Sequence, residues 1–147
     1  MPRFRSVQDI LDFAVAREIE AREFYLHLAE RVSNPDLQTV LEKFAVDELR
    51  HRIHLQAVKA GEVGFTDEEA GSLDIAETVP DVQPYPDMGY TELLIVAMRK
   101  EKTAFRIYTN LASLTRREDF RNTLLALAQE EAQHKLRLEI EYDVVTF

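Results

Sequence analysis

Two Glu-x-x-His motifs, Glu48-Leu-Arg-His51 and Glu131-Ala-Gln-His134, each follow an isolated glutamate on an earlier stretch, Glu18 and Glu101 respectively. The two sets repeat at one constant offset. Glu18, Tyr25, Glu48 and His51 recur as Glu101, Tyr108, Glu131 and His134. Carboxylates are hard oxygen donors, and imidazole nitrogen suits divalent transition metals. Four glutamates and two neutral imidazoles carry a charge that two divalent ions would balance. The donor set therefore points to iron or manganese, with zinc as an opportunistic occupant. A lone E-x-x-H on an acidic helix is ordinarily a solvated face. A doubled set at fixed spacing needs another explanation.

That explanation lies in the elements that carry the motifs. All four glycines (Gly61, Gly64, Gly71, Gly89) and Pro80, Pro84 and Pro86 fall in one central region. Outside it, breakers occur only at Pro2 and Pro35, so the flanking stretches read as four helices in two hairpins. The first helix is expected to open at Ser6, with Asp9 in capping-box-like spacing, and to end near Val32. Asn34-Pro35-Asp36 forms the turn, with Pro35 at the first position of a helix that runs to Ala60 and stops at Gly61. A third helix spans Gly89 or Thr91 to Leu114. Thr115 is expected to cap a fourth, which has Glu118 and Asp119 in its first turn and ends near Tyr142. The chain is thus expected to be one domain, 1–147: a hairpin repeat 6–61, a crossover loop 62–88 and a hairpin repeat 89–143. Residues 62–87 hold eight acids and no base, which reads as a solvated connection.

Along each helix the chemistry-bearing residues interrupt an apolar seam. The seams are Ile10, Ala14, Glu18, Ala21, Tyr25, Leu28; Leu37, Leu41, Phe44, Glu48, His51, Leu55, Val58; Leu94, Ala97, Glu101, Ala104, Tyr108, Leu111; and Phe120, Leu124, Leu127, Glu131, His134, Leu138. Spacings of three and four define one helical stripe. An isolated carboxylate in such a stripe must find a cation, a partner or a proton. No lysine or arginine occupies these positions, so a metal is the economical answer. Glu18 and Glu48 lie at similar distances either side of the first turn, and Glu101 and Glu131 do the same about the second. At about 1.5 Å rise per residue, six ligands reach one level. Glu-x-x-His pairs on facing helices are the ligand arrangement of dinuclear centres in four-helix bundles. Tyr25 and Tyr108 follow their glutamates by two helical turns and would be either core aromatics or hydroxyl donors to the ligands. Asp47 and Glu130 precede the E-x-x-H glutamates and could orient the ligating histidines or face solvent. His27 and His54 have no histidine counterpart in the repeat and read as surface residues. The repeat extends to Ala14, Ala21, Leu28, Ala29, Asp36, Leu41, Ala45 and Leu55, unchanged at Ala97, Ala104, Leu111, Ala112, Asp119, Leu124, Ala128 and Leu138. One hairpin cannot cover its own apolar face, so two would pack about a pseudo-twofold axis.

Composition removes several classes. Net charge −9 argues against general nucleic-acid binding. The longest apolar run, Leu93 to Met98, cannot span a membrane, and the first residues show no secretory signal. With no cysteine there is no disulfide, no thiolate-held iron–sulfur centre and no cysteine nucleophile. A cytoplasmic location is the expectation.

On these residues the chain resembles the ferritin-like superfamily and, within it, the rubrerythrin-type di-iron proteins. The matching segments are Ala-Arg-Glu18-Ile-Glu-Ala-Arg-Glu-Phe-Tyr25, Asp-Glu48-Leu-Arg-His51, Glu101-Lys-Thr-Ala-Phe-Arg-Ile-Tyr108 and Glu-Glu131-Ala-Gln-His134. The resemblance implies an all-α, ferritin-like four-helix bundle of two pseudo-repeated hairpins. It also implies two iron ions bridged by Glu48 and Glu131, with Glu18 and Glu101 as terminal ligands and His51 and His134 each on one metal. The function implied is an oxidoreductase that reduces hydrogen peroxide or dioxygen with electrons from an external donor protein. Iron sequestration with ferroxidase activity and a metal-stabilised bundle without turnover are the alternatives. The chain departs from rubrerythrins proper in lacking the four-cysteine rubredoxin domain. Met98 and Ala104 flank Glu101 where an extra glutamate is usual. Leu49 stands where bacterioferritins place a haem-ligating methionine, and no fifth helix is evident, so a cage is not expected. Leftover apolar stripes make a homodimer the expected assembly.

Overall fold

A computed structural model describes residues 6–61 and 88–147. The described residues form four α-helices and no strand: α1 (Val7–Arg31), α2 (Pro35–Ala60), α3 (Tyr90–Leu114) and α4 (Glu118–Thr146). The expected crossover and its acidic residues at positions 62–87 lie outside the described residues. None of the described helices is long and apolar enough to cross a membrane.

α1 and α2 belong to one compact unit and α3 and α4 to another. The first unit is an antiparallel hairpin. As α1 rises from Asp12 through Glu18 and Tyr25 to Val32, its partners descend along α2. Lys59 pairs with Asp12. His51 approaches Glu18 at 3.7 Å. The Phe44 ring meets Tyr25 edge to face at 5.3 Å. The Gln38 amide donates to the Val32 carbonyl at 2.7 Å. The turn is local chemistry. Asn34 Oδ1 accepts from the amides of Asp36 (2.9 Å) and Leu37 (3.4 Å), satisfying two donors that a helix start leaves unpaired. Pro35, which has no N–H to satisfy, takes the first helical turn as expected. Gly61 does end α2, its amide reaching Ala57 O and Val58 O. Its φ of −110° shows a closing turn that does not use the left-handed conformation.

The second unit repeats this plan with different ends. Gly89 precedes α3 and has no side chain with which to cap it. Thr115 does not cap α4. It closes α3 in extended conformation (φ −78°, ψ 141°), its amide reaching Leu111 O. Its hydroxyl accepts from the Arg117 amide at 3.2 Å, and its carbonyl accepts from the Arg121 guanidinium at 2.9 Å. Arg117 holds the cap position of α4 without a side-chain cap bond. Its guanidinium instead clasps Asp119 (3.1 and 2.7 Å) and lies 3.8 Å over the Phe120 ring. The hydrogen bond from Arg117 holds the Asp119 carboxyl below the usual carboxylate range. At the far end, the Tyr90 hydroxyl donates to Glu141 at 3.2 Å. α4 passes the expected stop at Tyr142 and runs to Thr146, because no glycine or proline follows to break it.

Candidate metal centre

The seams expected from the sequence are buried in both units, with Phe120 half-buried at the α4 start. On α2, Leu37, Leu41, Phe44, Glu48, His51, Leu55 and Val58 are all buried, as the three-and-four spacing requires. Tyr25 and Tyr108 are among the largest fully enclosed side chains. The Tyr25 ring is gripped edge to face by Phe24 (5.6 Å) and Phe44 (5.3 Å), a geometry that aromatic quadrupoles favour.

Four carboxylates and two imidazoles share this apolar setting. Glu18 is 2% exposed, Glu48, Glu101 and Glu131 are each 1% exposed, His51 is 0% and His134 is 4%. Burying a carboxylate costs several kcal/mol or more unless positive charge or hydrogen bonds compensate, so such placement has a reason.

Within the first unit, His51 Nδ1 lies 3.5 Å from Glu48 Oε1 and 3.7 Å from Glu18 Oε2. Within the second, His134 Nδ1 lies 3.5 Å from Glu131 Oε1 and 3.6 Å from Glu101 Oε1. In each triad the three donor atoms all fall within 4.8 Å of one another. The two triads are near copies, and both histidines present the same nitrogen. These N···O separations exceed the range of about 2.7–3.2 Å for an N–H···O hydrogen bond. They lie nearer to the spacing of donors around one ion. With bonds of roughly 2.1 Å, neighbouring donors sit about 3.0 Å apart on an octahedron and about 3.4 Å apart on a tetrahedron. Two oxygens and one imidazole nitrogen per triad suit a borderline-hard divalent ion such as iron or manganese. The residues therefore fit a metal.

The neighbours expected to orient the ligands are placed as follows. Asp47 is half-buried and accepts a 3.3 Å hydrogen bond from Arg50. Glu130 is half-buried on α4. His27 is exposed beside Glu30, and His54 is half-buried; neither belongs to a triad. Thr103 was missed by the seam argument. It is 3% exposed, and its hydroxyl donates to Arg99 O at 3.0 Å. It belongs to a second buried stripe on α3 with Leu93, Val96, Ile107 and Leu114. With Thr103 its members are spaced by three, seven, four and seven residues, a helical register too sparsely marked by apolar residues for a single-seam reading to catch.

Comparison with known proteins agrees with this geometry. No curated protein matches the sequence. Two solved structures superpose on nearly the whole chain. One, from Thermotoga maritima, is described as a ferritin-like diiron-carboxylate protein; it has 22% identity and a TM-score of 0.78, and the match covers 97% of this chain and 98% of that one. The other, a hypothetical protein from Pyrococcus furiosus, has 25% identity and a TM-score of 0.79, and the match covers 96% and 90%. The fold is thus the ferritin-like four-helix bundle that the repeated hairpins led us to expect. The family model for rubrerythrin matches residues 9–142, a span that includes every residue of both triads. With its fold, its duplicated buried triads and this match in agreement, the chain belongs to the rubrerythrin family.

Proposed function

We propose that the chain is a di-iron carboxylate oxidoreductase that reduces hydrogen peroxide or dioxygen with electrons from an external donor protein. The observation that carries this reading is the pair of matching buried Glu–Glu–His triads. Their donors match iron chemistry, and the Thermotoga maritima protein of the same fold is described as a diiron-carboxylate protein. In this reading each triad would hold one ion of the pair. Glu18, Glu48 and His51 would hold one ion and Glu101, Glu131 and His134 the other, with each histidine binding through Nδ1. Bound iron would supply one-electron redox change and Lewis acidity toward the oxidant. The chain's own residues do the rest. Four carboxylates neutralise the ions, so the charged centre can exist within an apolar seam. The leucines and alanines on adjacent seam turns exclude water. The Tyr25 and Tyr108 hydroxyls, carried on buried rings, are assigned to orienting ligand carboxylates.

The test is anaerobic loading of the full chain with ferrous iron, followed by rapid mixing with hydrogen peroxide or with dioxygen. The expected result is oxidation of two irons per chain, with consumption of one peroxide for each pair. Turnover should continue when a small chemical reductant is supplied. Bound iron that stays ferrous against both oxidants would sink the proposal. Iron uptake far beyond two per chain would favour sequestration instead.

A further inference from the structure

Beyond its first turn, where Glu92 is exposed, the solvent face of α3 differs in charge from the rest of this acidic chain. Between Leu93 and Arg117 the sole acid is Glu101, and it is 1% exposed. Arg99, Lys102 and Arg106 are exposed on this stretch. At about 100° per residue, Arg99, Arg106, Ser113, Lys102, Thr109 and Phe105 fall on one arc of roughly 120°. The hydroxyls on that arc turn back to their own helix, Thr109 to Phe105 O and Arg106 O, and Ser113 to Asn110 O. Phe105 is 38% exposed, an aromatic surface at the arc's edge. Arg116, also exposed, extends the basic face into the following turn. No ion pair with a described residue engages the side chain of Arg99, Lys102, Arg106 or Arg116. By contrast, the exposed residues of α1 include Asp9, Asp12, Glu20, Glu23 and Glu30 against Arg22 and Arg31.

Cations around an aromatic that pair with no described residue, on a chain of net charge −9, are a directional field, not a general affinity for polyanions. Such a face selects a partner with a compact acidic patch, speeds its encounter and sets its orientation. It also lies on the helix that carries Glu101, one of the six proposed ligands. We infer that the Arg99–Lys102–Arg106 face of α3, with Phe105, is the docking surface for an acidic one-electron carrier protein. This inference rests on the oxidoreductase reading and names the partner class for it. The electron count closes. Hydrogen peroxide, two electrons and two protons give two waters, so each turnover oxidises two carrier molecules by one electron each.

The test uses the full metal-loaded chain and, as probe, an acidic plant-type [2Fe–2S] ferredoxin. Binding is measured by titration calorimetry at low and moderate salt. The variant is the triple substitution Arg99→Gln, Lys102→Gln and Arg106→Gln; glutamine is a good helix former, so helicity by circular dichroism should not change. Binding by the variant should be about ten-fold weaker or more at low salt, with a flatter salt dependence. The control Arg22→Gln with Arg31→Gln on α1 should shift affinity less than two-fold. Equal affinity of triple variant and wild type, equal harm from the α1 control, or no binding by wild type would each overturn the docking surface. So would a single-stranded oligonucleotide that binds as tightly as the ferredoxin. Peroxide consumption driven by a small chemical reductant separates the two claims. It should be the same in wild type and triple variant, and its absence from wild type, with dioxygen consumption absent as well, would remove the oxidoreductase reading whatever the binding data show.

Discussion

Replacing Glu48 with glutamine separates the cost of buried charge from the benefit of metal. Donor oxygens of Glu18 and Glu48 lie no more than 4.8 Å apart. Two ionised carboxylates at that separation repel by about 3.5 kcal/mol at an effective dielectric constant of roughly 20. Screening by the adjacent imidazole and local relaxation reduce what the metal-free protein feels, leaving a relief on the order of 1–3 kcal/mol when Glu48 becomes neutral. For a chain of this size each kcal/mol moves the melting temperature by roughly 2–4 °C. Metal-free Glu48→Gln should therefore melt higher than metal-free wild type, by about 2–12 °C. With metal the order reverses. Saturation of two sites, each at a hundred times its dissociation constant, adds about 2.7 kcal/mol per site, about 5.4 kcal/mol in all, to wild type, and the variant should lose most of that increment. The assay is thermal unfolding followed by circular dichroism, with chelated and with ferrous- or manganese-loaded protein. If chelated Glu48→Gln melts below wild type yet keeps the full metal-induced shift, Glu48 is neither a source of strain nor a ligand, and the reasoning fails.

His51→Ala and His134→Ala should each lower bound metal from about two ions per chain to about one, by elemental analysis, because each triad has a single imidazole. Their effects should be similar in size, as the two triads are near copies. Asn34→Ala removes the acceptor for two helix-start amides and should cost about 1 kcal/mol in chemical denaturation. Tyr90→Phe deletes the hydroxyl bonded to Glu141 and should cost about 1 kcal/mol near neutrality. Burial first, and then Glu141, pushes the Tyr90 phenol well above its ordinary value, so the folded state favours the neutral form. That stabilisation is fully present below pH ~10 and fades as pH rises beyond it. Absorbance titration near 295 nm should show one fewer late-ionising tyrosine in the variant.

Most of the centre was legible because burial and chemistry coincide in the spacing. Glu18 and Glu48 sit where a stripe of Ile10, Ala14, Leu41 and Leu55 demands an apolar side chain, and their counterparts repeat the exception. A carboxylate has few reasons to occupy such a position. The ends of the second hairpin were less legible. Thr115 has the chemistry of a helix start, but its hydroxyl serves Arg117 as the chain leaves α3, and nothing short of the coordinates ranks those competing uses. The end of α4 was placed near Tyr142 because the seam ends at Leu138, yet the backbone continues to Thr146, where the threonine hydroxyl returns to Tyr142 O at 2.7 Å. Seams report which face is covered and stay silent on how far an uncovered helix persists. Phe120 shows the same limit. Its spacing fits the α4 seam, but at the helix start it is only half-buried beneath the Arg117 guanidinium.

The tight turn between α1 and α2 has a consequence for how this protein can vary. Asn34 and Gln38 clamp the start of α2 to the end of α1, so the turn fixes the phase of one helix against the other. It works as a ruler. Adding a single residue after the clamp would swing everything downstream through about 100° and carry His51 off the side that meets Glu18. The meeting of Glu18, Glu48 and His51 is therefore set by the arithmetic of chain length in that short connection as much as by the side chains themselves.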